Sequence, residues 1–300
     1  MTPHPLRPAV RRTSHRAGAF LLLLAGLLSG SRTQPAAAQT MRTTTVSRQH
    51  HGEKQLSARI EFGAGTLALR PAAPGTLYGM RLYYDTERFQ PVSRYEAPTG
   101  DLLLGVSSTG GGGIRVSSRK QLRQEAVIEL SPEVELSLDV ELGAVEAGLD
   151  LGGLRLLEAH VKAAASKTIL RFSRQNPGDC RTLELNAGAA EFSAYGLGNS
   201  RCRSIRFEGG VGDVTLDLTG AWDADARVVA RLTLGGLTLR LPRDLGVELD
   251  MDRFLATFSS TGFEKRGSTY VSEGYDRQAR HLSISVTSNV GDVNVVWVDK

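Results

Sequence analysis

Three groups of residues have types and spacings that could do chemistry. His50, His51 and Glu53 form a His-His-x-Glu cluster, and imidazole with carboxylate is a donor set suited to zinc or copper. Asp213, Asp217 and Asp292 recur in glycine-bearing phrases, where paired carboxylates could act on an acidic polysaccharide. Cys180 and Cys202 are the only two cysteines and lie 22 residues apart.

Each group has a plainer reading that the sequence favours. A metal site needs oriented ligands with support behind them, and the His-His-x-Glu cluster sits in a terminal segment. Asp in a Gly-Asp-Val corner serves the turn by bonding its own backbone. His160 and His281 stand beside apolar strand residues, as rim positions would. There is no Gly-x-Ser-x-Gly elbow, no thiolate-activating context for a cysteine, and no Gly-Lys-Ser/Thr after the glycine run Gly110–Gly113, which reads as a hairpin or linker. The expectation is a non-enzyme with no catalytic residue, no bound metal and no cofactor.

The cysteines say more. Each opens a similar phrase, CRTLELNAGAAEF and CRSIRFEGGVGDV, as two layers of a stacked array would. Adjacent parallel strands lie about 4.8 Å apart, inside the span that a disulfide bridges without strain, so a Cys180–Cys202 bond is expected, with two free buried thiols as the alternative. Such a bond needs an oxidising compartment.

An export signal agrees. Arg7, Arg11, Arg12 and Arg16 precede the apolar run Ala17–Leu28, and small residues end at Ala38, so residues 1–38 read as a signal peptide. If it were retained, the same run would associate the chain with a membrane. Residues 1–38 hold five arginines and no acid; taking those five from the 36 basic residues leaves 31 against 32 acidic ones. The basic balance of the whole chain therefore belongs to the leader, and a nucleic-acid partner is not expected. Arg201, Arg203 and Arg206 are read as a solvated strand face.

The elements that must position these residues are strands. Glycine-bearing phrases with alternating apolar residues start at Gly63, Gly143, Gly188, Gly210, Leu234 and Asn289, with steps of 22 residues from Gly188 to Gly210 and 23 from Gly212 to Gly235. Val214, Leu216 and Leu218 face one way and Thr215 and Asp217 the other, while glycine turns the corner. The expected fold is all-β, a parallel single-stranded β-solenoid or β-helix-like stack with an N-terminal β region. Its expected divisions are the signal at 1–38, the N-terminal region at 41–130, and repeats over 131–300 with an aromatic excursion at 251–280. Tyr83, Tyr84, Phe89 and Tyr95 are the candidate partner surface, with core packing as the alternative.

Several of these phrases resemble a known family. The segment Ile60–Tyr95, with Gly63, Gly65, Tyr83, Tyr84, Pro91 and Tyr95, is similar to the opening of the toast-rack family of exported bacterial proteins. Gly210–Leu218, Gly291–Val298 and the aromatic stretch from Gly262 continue the likeness over nearly all of residues 42–298. The family's relatives include the LiaF-like C-terminal domain of envelope-stress proteins and adhesin-head-like repeats. The resemblance implies a periplasmic, cell-envelope or secreted scaffold or binding module with a protein or glycan partner, linked to envelope stress or adhesion. The alternative is a carbohydrate-active enzyme, which several carboxylates or a Lys/Arg pair at equivalent outward positions in one groove would favour.

Overall fold

The computed structural model describes residues 40–109, 124–259 and 261–299. Residues 1–38, where a signal peptide is expected, and Gly110–Gly113 lie outside the described residues. Eighteen strands form one sheet: β1 (Met41–Gln49), β2 (Gln55–Pro71), β3 (Thr76–Asp85), β4 (Phe89–Glu96), β5 (Asp101–Ser108), β6 (Glu125–Leu130), β7 (Glu135–Asp150), β8 (Arg155–Ala163), β9 (Lys167–Arg171), β10 (Cys180–Ala189), β11 (Glu191–Tyr195), β12 (Cys202–Val211), β13 (Val214–Asp217), β14 (Ala226–Pro242), β15 (Gly246–Phe258), β16 (Phe263–Arg266), β17 (Thr269–Ser272) and β18 (His281–Val298).

From β2 onward parallel pairing joins these strands into eight rungs, in the spatial order β2, β7, β8 with β9, β10 with β11, β12 with β13, β14, β18 and β15, and β5 with β6 pairs parallel to the other side of β2. Each rung has two arms that meet at a corner. On the first arm Ile60, Val140, Val161, Leu185, Phe207, Ala230, Val286 and Met251 stand in one column. On the second arm Leu67, Ala147, Thr168, Phe192, Val214, Leu237, Val293 and Phe258 make another. The period of two sends these columns inward, and both belong to one continuous core running from Leu56 to Val293, with Met251 and Phe258 packed against it.

The corner explains the glycine phrases. Gly212, Gly235 and Gly291 have φ of 145°, 132° and 131°, a region L side chains avoid. A Cβ on any of them would fall on the carbonyl oxygen of the residue one rung away: Ala190, Gly212 and Gly235 respectively. Only glycine lets successive corners approach this closely.

The expectation of an open parallel single-stranded β-solenoid behind an N-terminal β region is corrected here. The protein is all-β, but its eight parallel rungs form a closed, barrel-like wall around one core. It closes in cross-section, because the corners and the connecting turns carry each rung round the interior. Nor do the rungs stack in chain order. The chain leaves β14, forms β15, turns through the β16–β17 hairpin, and returns as β18 between β14 and β15. At the other end β2 pairs along its length with β7, while β5 and β6 occupy its opposite edge, extended by antiparallel β4, β3 and β1. Residues on either side of 130 thus share one sheet and one core. The physical reason is that alternation fixes which way a side chain faces and leaves open which strand lies beside it.

Candidate functional site: a trough across six rungs

Cys180 and Cys202 face each other in register on β10 and β12 and are joined by a disulfide. Both are almost wholly buried, so the bond ties two rungs from inside and is closed to chemistry. Arg201 beside it has φ of 57° and is held by Asp179 at 3.1 Å and Asp223 at 3.0 Å. Arg206 bonds Glu184 of the neighbouring rung at 2.8 Å. Arg201 and Arg206 are thus spent on carboxylates, and Arg203 is exposed on the strand face between them.

The other sequence candidates are scattered. The His51 backbone N–H donates to the Glu53 carboxylate at 2.6 Å, and His50 Nε2 donates to the Glu53 carbonyl at 2.9 Å. Burial alone would raise the Glu53 carboxyl. The hydrogen bonds from the His51 and Glu53 backbone, with Arg48 and His50 nearby, outweigh it and hold the group below the usual glutamate range. No group of three metal-binding side chains occurs among the described residues. Asp217 is buried, accepts from the Thr219 N–H at 3.0 Å and pairs with Arg240 at 3.2 Å, as a turn acid does. Asp213 and Asp292 are exposed on either side of Gly236. His160 lies 3.9 Å from Glu184, and His281 packs on Tyr275 at 4.6 Å between ring centres.

The four aromatics are not brought together as a surface. Tyr84 and Phe89 are in the core. Tyr95 packs on Tyr78 at 5.7 Å with the Arg48 guanidinium 4.6 Å over its ring, and Tyr83 stands between Thr43 and Glu125. Burial first, then the nearby Glu53 carboxylate, raises the Tyr95 hydroxyl above its ordinary range.

What the sequence reading missed is a trough of about 1100 Å³ on the first arm beside the corner. It crosses six rungs, from β2 to β14, with Val106 of β5 at one end. At about 4.8 Å per rung it is about 24 Å long. Its floor is a column of outward positions, glycine or alanine at five of the six: Gly63, Gly143, Ala164, Gly188, Gly210 and Thr233. Its wall is the outward column two residues earlier: Glu61, Glu141, Lys162, Asn186, Glu208 and Arg231. These charges pair along the wall. Arg59 reaches Glu61 at 2.7 Å and Glu141 at 3.2 Å, Lys162 reaches Glu141 at 3.5 Å, and Arg231 reaches Glu208 at 3.1 Å. The result is a long, shallow, polar-walled groove with exposed backbone along its floor, able to hold an extended chain by many weak contacts. The signal was present in Gly188 and Gly210, one repeat apart, but Gly63 and Gly143 are 80 residues apart and align only once β2 lies beside β7.

Comparison with known proteins places this architecture. A family model described as the N-terminal domain of toast_rack matches residues 35–192, more than half of the chain. The chain belongs to the toast-rack family. A second model, the C-terminal region of the cell wall-active antibiotics response protein LiaF, matches residues 193–295. The junction of the two matches falls inside β11, so the toast-rack and LiaF-like parts are two stretches of one wall. No curated protein matches the chain. Among solved structures, one described as a candidate cell adhesion protein of Clostridium sporogenes is 16% identical, covering 86% of this chain and 100% of its own at a TM-score of 0.45. A candidate adhesin of Bacteroides fragilis is 12% identical, covering 85% and 97% at 0.42. A candidate lipid binding protein of Parabacteroides distasonis is 10% identical, covering 85% and 96% at 0.33. Likenesses this remote carry no functional argument.

Proposed function

We propose that this toast-rack protein is an exported, non-enzymatic scaffold or binding module of the cell envelope, which lays an extended stretch of a protein or glycan partner along the trough. The observation that carries the reading is the trough itself: six rungs present the same small floor and polar wall in register. Small floor residues let a ligand's main chain approach the strand backbone closely. The LiaF-like match over residues 193–295 and the signal-like residues 1–38 support an envelope location and a link to envelope stress.

The test fills the trough without touching a glycine. Ala164→Trp and Thr233→Trp place bulk on exposed floor positions. Binding of the purified mature protein to isolated envelope fractions and to purified envelope glycans is expected to fall at least tenfold in each variant, with the thermal midpoint unchanged. Binding at wild-type strength by both variants would sink the reading.

One observation favours a second reading, a carbohydrate-active enzyme. Glu61, Glu141 and Glu208 stand in one column of the trough together with Lys162 and Arg231, the arrangement such an enzyme would display. Against it, each carboxylate is already paired with a cation of its own or the next rung. Release of reducing ends from an envelope polysaccharide, abolished by Glu141→Gln, would establish the enzyme instead.

A further inference from the structure

The last rung ends in an edge whose neighbour is missing. β15 pairs with β18 from Gly246 to Phe258, but on its other side β17 reaches only Glu248 and Leu249. Among the described residues, Met251 to Phe258 therefore present one row of main-chain donors and acceptors without a strand partner. Unpaired edges invite further pairing unless they are blunted. The two edges at the opposite end are blunted: β1 carries Arg42, Thr43, Thr45 and Ser47 outward, and β4 carries Pro91 and Arg94. β15 has no proline in this stretch, and its two charges, Asp252 and Arg253, are confined to the first arm, so that Phe254 to Phe258 carries none. It displays Phe254 at 80% exposure and Leu255 at 64%, the two most exposed large apolar residues described.

These two are the end of a longer feature. Leu255, Val290, Leu234 and Val211 are neighbours on successive rungs, and the last three are 38%, 45% and 50% exposed. An apolar stripe thus runs along the corner over four rungs and stops at the open edge. Contiguous exposed apolar surface of this kind marks an interaction site.

The facing pattern of the edge says what fits it. By register, Met251, Arg253, Ala256 and Phe258 stand beside Val286, Ser288, Gly291 and Val293, in the columns that line the inside. Asp252, Phe254, Leu255 and Thr257 stand in the outward columns, with two outward residues in succession at the corner. Read from either end, in, out, in, out, out, in, out, in is the same sequence. Its centre lies between Phe254 and Leu255.

We propose that this edge is a two-fold interface with a second copy of the same chain, β15 against β15, antiparallel about the point between Phe254 and Leu255. Directly opposed residues of an antiparallel pair share a face, and this register alone keeps inside opposite inside through the corner. Phe254 meets Leu255 of the second copy twice, Met251 meets Phe258, Asp252 meets Thr257, and Arg253 meets Ala256. No like charges are opposed. The two-fold exchanges the arms of the two rungs, so each wall continues into the other, and the apolar stripe of one copy runs on into the trough-floor column of the other. A two-fold pairing also consumes the open edge in both copies and so closes the assembly.

Sedimentation equilibrium of the mature protein with its disulfide intact tests this. A monomer–dimer equilibrium in the micromolar range is expected. Phe254→Arg and Leu255→Asp, both at exposed positions, are expected to weaken it at least tenfold without lowering the thermal midpoint. Thr257→Lys sets a cation opposite Asp252 of the second copy and is expected to tighten the dimer severalfold, whereas Thr257→Asp loosens it. A protein that stays monomeric at hundreds of micromolar overturns the proposal and leaves the edge to a strand from another protein. So does a dimer indifferent to Phe254→Arg. A dimer broken by Phe254→Arg yet unmoved by Thr257→Lys overturns this register.

Discussion

Glu53 sits where β1 hands over to β2, taking its bonds from backbone N–H groups rather than from a metal or a substrate. Its carboxyl is depressed in the folded protein, so the stability it contributes is fully present above the ordinary glutamate range. That stability is lost as pH falls through the depressed value. Glu53→Gln is expected to melt below wild type at neutral pH and to converge with it in acid, as thermal melts across the acid range would show. The disulfide acts differently, closing a loop of 22 residues in the unfolded chain. Its removal in a Cys180→Ala/Cys202→Ala pair is expected to cost about 3 kcal/mol in urea unfolding, as loop-closure entropy predicts. By contrast Arg231→Ala breaks an exposed ion pair and is expected to cost under about 1 kcal/mol in the same measurement.

Among the elements, the corners are the most demanding. Gly291→Ala puts a Cβ on the Gly235 carbonyl and forces a residue to φ of 131°, so a loss of upwards of about 2 kcal/mol is expected. Gly148→Ala is the control: it lies within β7 with nothing near its would-be Cβ, and is expected to be neutral or to stabilise by about 0.5 kcal/mol. Urea midpoints of the two variants decide the point. The 22-residue step between Cys180 and Cys202 and the glycine at Gly210–Gly212 made adjacent rungs and their corners legible from sequence. The place of β18 was not legible, because Leu282, Ile284 and Val286 alternate equally well beside any neighbour. The antiparallel strands β1, β3 and β4 escaped for the same reason. The trough was hidden more deeply, since its wall is assembled from single residues such as Glu61 and Glu208, meaningful only after six strands are set side by side.

For the whole molecule, the consequence is one core. The stretch matched by the toast-rack model and the stretch matched by the LiaF-like model meet inside β11, with Phe192 on one side of the junction packing on Phe207 from the other at 5.6 Å. Neither stretch can bury its own inner columns at that boundary, so neither is expected to fold cooperatively alone. Native-state hydrogen exchange of the mature, disulfide-bonded protein, followed by mass spectrometry through increasing denaturant, tests this most directly. Amides of Leu136–Leu142 in β7, Leu183–Ala187 in β10 and Val228–Leu232 in β14 are expected to merge into a single global opening. A separate, lower-energy opening of residues 193–295 while 55–192 stay protected would contradict a shared wall.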